Sequence, residues 1–301
     1  MGRRVVTMID KGEGMAMTNG NLARRPGQSA RGQIKPSLVY WCLEPYWNDI
    51  GEMIGVAERL GCESIELVDP KHFPKLREHG LACAIVPIDM GKGAPFVRGF
   101  NNPRHHDEVI EATRRAIDQC AAFGYERVIT FTGMSDGIDE EAGAHNCVAG
   151  YKRIVGYAES KGVTLCLEML NTREDSHPMK GHPGYQGNHT EYCIDIIKRV
   201  GSPHLKLLFD VYHVQIMDGD VIRRINQHKD YIGHVHIAGN PGRHELDEYQ
   251  ELSAKAIMRA LVRAGYDGYV GLEFIPTRDP YTSFAEAVAL CDVHQADTVE
   301  A

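Results

Sequence analysis

"WNDIGEMIGVAERLG", residues 47–61, contains the unit from which the fold can be read. Ile50, Met53, Ile54, Ala57 and Leu60 recur at helical spacing, and Gly61 stops the run because glycine enters left-handed backbone without a Cβ clash. Gly80, Gly124, Gly162, Gly201 and Gly265 punctuate the chain in the same way, each followed within a few residues by a short apolar run. The strand candidates are 38–42, 64–68, 82–86, 127–131, 164–168, 206–210, 234–237 and 269–273. Helical patterns lie at about 46–60, 72–79, 106–123, 140–161, 190–200, 218–228, 251–264 and 282–294. Eight alternating units in about 260 residues predict an α/β fold of the (β/α)8 TIM-barrel type, a single domain over residues 37–301. The alternative is an open doubly wound sheet, but no GxGxxG follows the first strand candidate.

Bulk properties narrow the function. The chain has 301 residues, 43% hydrophobic and 25% charged, as expected of a globular protein with a large core. Its net charge of −8 argues against a nucleic-acid partner, which needs concentrated Lys and Arg, but leaves room for a small anionic substrate met by one local arginine. Eight scattered cysteines form no CxxC pair, so neither a zinc cluster nor a redox motif is suggested, and a reducing, cytoplasmic compartment is expected. Residues 1–36 are polar, Gly- and Arg-rich and aperiodic, and read as a flexible extension. Arg3-Arg4 is not followed by the apolar segment that a twin-arginine export signal needs. No run approaches a membrane span of about 18 apolar residues.

Side chains alternate along a strand, so residue parity separates a barrel's interior from its helix-covered surface. In "TLCLEML" (164–170), "KLLFDVYH" (206–213), "HVHIAG" (234–239) and "YVGLEF" (269–274), one parity is apolar. The other ends in Glu168, Asp210, His236 or Glu273. C-terminal strand ends form the catalytic face of such barrels. Three carboxylates and an imidazole converging there need a compensating cation or proton, so the four are candidate ligands of a divalent metal. The oxygen-rich set favours Mg2+ or Mn2+, and the imidazole tilts the choice toward Mn2+ or Co2+, with Zn2+ left open. Taken singly, each residue also reads as a helix cap, a loop ion pair or a satisfied polar group.

"CLEMLN" (166–171), "LLFDVYHVQ" (207–215), "GHVHIAGNPGRHE" (233–245) and "YVGLEFIPT" (269–277) resemble the late strands of the hydroxypyruvate isomerase family, which lies among the xylose-isomerase-like TIM barrels beside the ketose 3-epimerases. The resemblance spans roughly residues 37–290. It implies a metal held by Glu168, Asp210, His236 and Glu273, with Glu168 and Glu273 also the acid–base groups. His213 and Arg243 match substrate-binding positions, and His244 and Glu251 accompany them on the substrate side. Two departures bear on the substrate. His236 stands where the hydroxypyruvate isomerases carry Gln and the epimerases His, and "QELSAKA" (250–256) replaces the more usual E-I-N-Y run.

The expected activity is interconversion of hydroxypyruvate and tartronate semialdehyde through an enediol, with Arg243 offering its planar fork to the substrate carboxylate. The rival readings are a ketose 3-epimerase, an endonuclease IV-like repair enzyme and a non-catalytic barrel binding a sugar acid. The resemblance also carries an expectation of a homo-oligomer. Glu66 reads equally as a pocket or a structural residue. Trp41, Tyr46 and Trp47 read as core packing or a cavity wall. The loop 176–190 reads as a lid or interface element in which His177, His182 and His189 are solvated.

Overall fold

A computed structural model of the chain describes residues 33–294. Seven parallel strands are β1 (Lys35–Val39), β2 (Ser64–Glu66), β3 (Arg127–Phe131), β4 (Thr164–Glu168), β5 (Leu205–Asp210), β6 (Ile232–Ile237) and β7 (Tyr269–Leu272). They hydrogen-bond in the order β2-β1-β7-β6-β5-β4-β3. The third expected strand, 82–86, does not form a regular one. It instead bridges the two edges of the sheet: Leu67 N–H donates to the Ile85 carbonyl at 3.1 Å, and Val86 N–H donates to the Arg127 carbonyl at 2.9 Å. With Ser64 bridged to Ala82 and Val86 to Val128, the curled sheet closes as a TIM barrel with this segment as its eighth stave.

The outer layer follows from local signals. Asp49 caps the helix Ile50–Leu60 by accepting from Gly51 and Glu52 N–H, and Gly61 ends it in left-handed backbone (φ 71°). The apolar side of this helix, Ile50, Met53, Ile54 and Ala57, is buried. The expected helix over 140–161 is two, Glu140–Lys152 and Val155–Ser160. The first strand lies three residues earlier than expected, because residues 40–43 turn helical. β1 therefore begins inside the expected extension, and residues 1–32 of that extension lie outside the described residues.

The interior parity holds. Leu165, Leu167, Leu207, Phe209, Val235, Ile237, Val270 and Leu272 are all wholly buried, each contributing about 1.5–3 kcal/mol through its removal from water. The opposite set fills the barrel. Ser37 and Ser64 hydroxyls meet at 2.9 Å, Glu66 lies beside His234 and His236, and the carboxylates of β4, β5 and the residue after β7 sit at the C-terminal mouth. No helix among the described residues is long and apolar enough to cross a membrane.

Candidate metal centre and substrate cavity

Glu168 ends β4, Asp210 ends β5, His236 is the penultimate residue of β6, and Glu273 follows β7. All four are buried, and one donor atom from each lies within 4.8 Å of the others. Two ligands held about 2.1 Å from an ion are at most about 4.2 Å apart, so the cluster needs only a small contraction to close on one.

The hydrogen bonding leaves the right atoms free. Asp210 Oδ1 caps the helix Val211–Met217, accepting from Tyr212 N–H at 2.8 Å and His213 N–H at 3.3 Å, while its Oδ2 has no hydrogen-bond partner. The cap and ligand readings of Asp210 are therefore both compatible with the geometry. His236 Nδ1 is 3.1 Å from Glu273 Oε2 and 3.6 Å from Glu168 Oε1, yet lacks hydrogen-bond geometry to either. Buried polar atoms without partners are uncommon, and these two point into one carboxylate-lined space. The donor set therefore fits a divalent cation.

Electrostatics follow from the crowding. Burial and then repulsion from Glu273 raise the Glu168 carboxyl, and the same two causes push Asp210 up to about 7. Burial would raise Glu273 too, but Arg243 and His236 outweigh it and hold its carboxyl well below the usual range. Arg243 Nη2 lies 2.6 Å from Glu273 Oε2 and 3.7 Å from Asp210 Oδ2. Its guanidinium also lies 5.2 Å from the Trp41 ring centre and 5.1 Å from that of Tyr212.

Arg243 reaches this position because the loop after β6 folds back. Gly239 N–H donates to the His244 carbonyl at 2.9 Å, and Ile275 N–H donates to the Arg243 carbonyl at 2.9 Å. Glu245 clamps the far side, accepting from Thr277 N–H at 2.8 Å and the Ser283 hydroxyl at 2.9 Å. His244 turns away to the Ile275 carbonyl. Glu251 is exposed beside Gln215 and Asn240, and neither residue reaches the cavity described next.

A cavity of about 260 Å3 opens beside the cluster, small for a ligand pocket. Phe96, Ile129, Phe131 and Leu170 form its apolar wall, and Glu168, Glu273, Arg243, His213, Lys180 and His182 its polar side. His213 Nδ1 accepts from the Asn171 backbone N–H at 3.2 Å, which puts the ring proton on Nε2, 3.5 Å from Asp210 Oδ2. Burial and Arg243 hold this imidazole well below its usual pKa, so it is a neutral donor. Trp41 donates its indole N–H to Glu273 Oε1 at 2.9 Å and carries Lys180 Nζ 4.7 Å from its ring centre. A cavity of similar volume at the opposite mouth, around Arg127 and Lys206, contains none of the expected site residues.

The three loop histidines, expected from the sequence to be solvated, divide in the structure. His177 is exposed, and His189 pairs with Asp218 at 2.6 Å. His182 lines the cavity against the Phe96 ring. Asn171, within the quoted "CLEMLN", has no signal of its own in the sequence. Only the fold brings its N–H to His213.

The family model of the xylose isomerase-like TIM barrel matches residues 54–292. The chain belongs to this family. Over 207 residues it is 32% identical to a 2-oxo-tetronate isomerase of Cupriavidus necator, covering 67% of this chain and 75% of that protein. A Drosophila melanogaster protein provisionally named hydroxypyruvate isomerase is 38% identical over 236 residues, 76% of this chain and 87% of the relative. The chain is an isomerase of the xylose isomerase-like barrels. Among solved structures, a Brucella melitensis protein described as an AP endonuclease of family 2 superposes with a TM-score of 0.71 at 24% identity, covering 85% of this chain and 98% of that one. That likeness speaks for the fold alone.

Proposed function

We propose that the protein interconverts a short 3-hydroxy-2-oxo acid and its 2-hydroxy-3-oxo isomer, which in the three-carbon case are hydroxypyruvate and tartronate semialdehyde. Glu168, Asp210, His236 and Glu273 would hold a divalent cation, and Mg2+ and Mn2+ suit the oxygen-rich donor set. The observation that carries the substrate class is the pair of cations at the Trp41 ring, Arg243 and Lys180, lining the cavity that the donor cluster adjoins. Two cations beside that cluster suit a carboxylate better than a neutral ketose. The names of the two relatives support the reading, since hydroxypyruvate and 2-oxo-tetronate each set a carboxylate beside a ketone and a hydroxyl-bearing carbon.

In the reaction, one proton leaves the hydroxyl-bearing carbon and one returns to the former carbonyl carbon, through an enediol. The hydroxyl proton passes from its own oxygen to the former carbonyl oxygen, so that the two isomers carry the same atoms and charge. Glu168 and Glu273 are the groups that handle the carbon-bound proton, one taking it from carbon and the other supplying it. They come from staves separated by β5 and β6, which suits two faces of a small substrate. His213 donates its Nε2–H to a substrate oxygen as negative charge develops there. Arg243 and Lys180 hold the carboxylate, and the Phe96–Phe131 wall limits water. A cation held by the four donors would supply Lewis-acid polarisation of the substrate's oxygens.

The test is NMR of the Mg2+-loaded protein with hydroxypyruvate in D2O, with Glu168→Gln as control. Metal-dependent deuterium incorporation and a new aldehyde signal are expected, both lost in the control. Turnover of ketohexoses with none of hydroxypyruvate would overturn the proposal in favour of epimerisation. Absence of any exchange would overturn catalysis at this site.

A further inference from the structure

Beneath the donor cluster lies a buried group that the proposed chemistry does not use. Glu66, at the end of β2, is wholly enclosed with His234 and His236 of β6. Its Oε1 lies 2.7 Å from His236 Nε2 and 3.0 Å from His234 Nε2, and the two rings stand nearly perpendicular, 84° apart. Both imidazoles therefore direct an N–H at one carboxylate oxygen. Space for this contact exists because β7 carries Gly271 at the same level. A Cβ there would collide with Glu66 Oε1 and lie 2.7 Å from His236 Cδ2.

The geometry points to Glu66 as the positioning residue of the metal centre. By accepting the Nε2–H of His236, it fixes that ring's tautomer and orientation and reserves Nδ1 as the ligand atom. His234 is the second strut, holding the carboxylate against rotation. A ligating histidine is usually steadied by a hydrogen bond from its other ring nitrogen. Here the arrangement is recognisable without the ion, because His236 Nδ1 is the ring nitrogen left without a hydrogen bond and it faces Glu168 and Glu273. The inference rests on the metal reading of that cluster, and it names a residue of β2, which β7 and β1 separate from β6 along the sheet.

The experiment is calorimetric titration of Mn2+ into the metal-stripped full chain, wild type, Glu66→Gln and Glu66→Leu, with thermal melts of each. Wild type is expected to bind one equivalent. Glu66→Gln, whose amide oxygen still accepts from His236, is expected to lose about ten-fold in affinity, and Glu66→Leu about a hundred-fold. If Glu66→Leu does not fold, the comparison of wild type with Glu66→Gln stands with a second measurement. In the Zn2+-loaded wild type, 15N NMR should find His236 protonated at Nε2 and ligated through Nδ1. Equal affinity in folded variants, ligation through Nε2, or a second equivalent bound by Glu66 and the two histidines would overturn the inference. If wild type binds no metal, the donor-cluster reading fails instead.

Discussion

On the loop between β4 and the helix Thr190–Val200, His182 sits with its ring centre 4.1 Å from that of Phe96. Burial, followed by Arg243, lowers its pKa from 6.5 to about 4. Between those values the unfolded chain binds the proton and the folded chain does not. Stability therefore falls as pH drops from 6.5 toward 4, by up to about 1.4 kcal/mol per unit, less for the ring's partial exposure. Urea unfolding of wild type and His182→Asn at pH 7 and pH 4.5 should give the variant the smaller loss, and equal losses would reject this role. At this scale the sequence was legible where parity and strand ends coincide. Glu168, Asp210, His236 and Glu273 all lie at such points. His182 and Asn171 were not, because their roles depend on a loop crossing from one stave to the next, which no local spacing records.

β7 illustrates how one element serves two neighbours. Its Gly271 lies opposite Ser37 of β1 and His236 of β6, and the missing side chain is the room occupied by the Glu66–His236 contact. Gly271→Ala should force that pair apart, costing about 1–3 kcal/mol by overpacking. It should also lower Mn2+ affinity through His236. Thermal melts with and without Mn2+ would check both, and a variant melting like wild type in each would remove the argument. Element boundaries were less legible than element order. The apolar run from Leu38 to Leu43 does not reveal that Tyr40–Leu43 turns helical and brings Trp41 to Glu273. Likewise "VYHVQIM" hides the helix Val211–Met217, which starts directly from the β5 carboxylate that caps it. At 82–86 the apolar pattern was right about position, but the segment makes only bridges to its neighbours.

For the whole molecule, alternation of apolar runs and amphipathic helices was enough to announce a closed barrel, because eight such units have few other ways to bury both layers. All eight cysteines are buried, and burial raises thiols such as Cys83 and Cys166 well above their usual range. Ellman's reagent should therefore label the native protein slowly and recover eight thiols on denaturation, whereas prompt labelling of the native state would contradict this enclosure. The chain has two tryptophans, and Trp41 binds Glu273 through its indole N–H while Arg243 and Lys180 lie against its ring. Any occupant that draws on Glu273 or either cation must alter the polarity around that indole. The barrel thus contains its own optical reporter, with Trp47 as the second emitter and filling of the mouth readable as a change in intrinsic fluorescence.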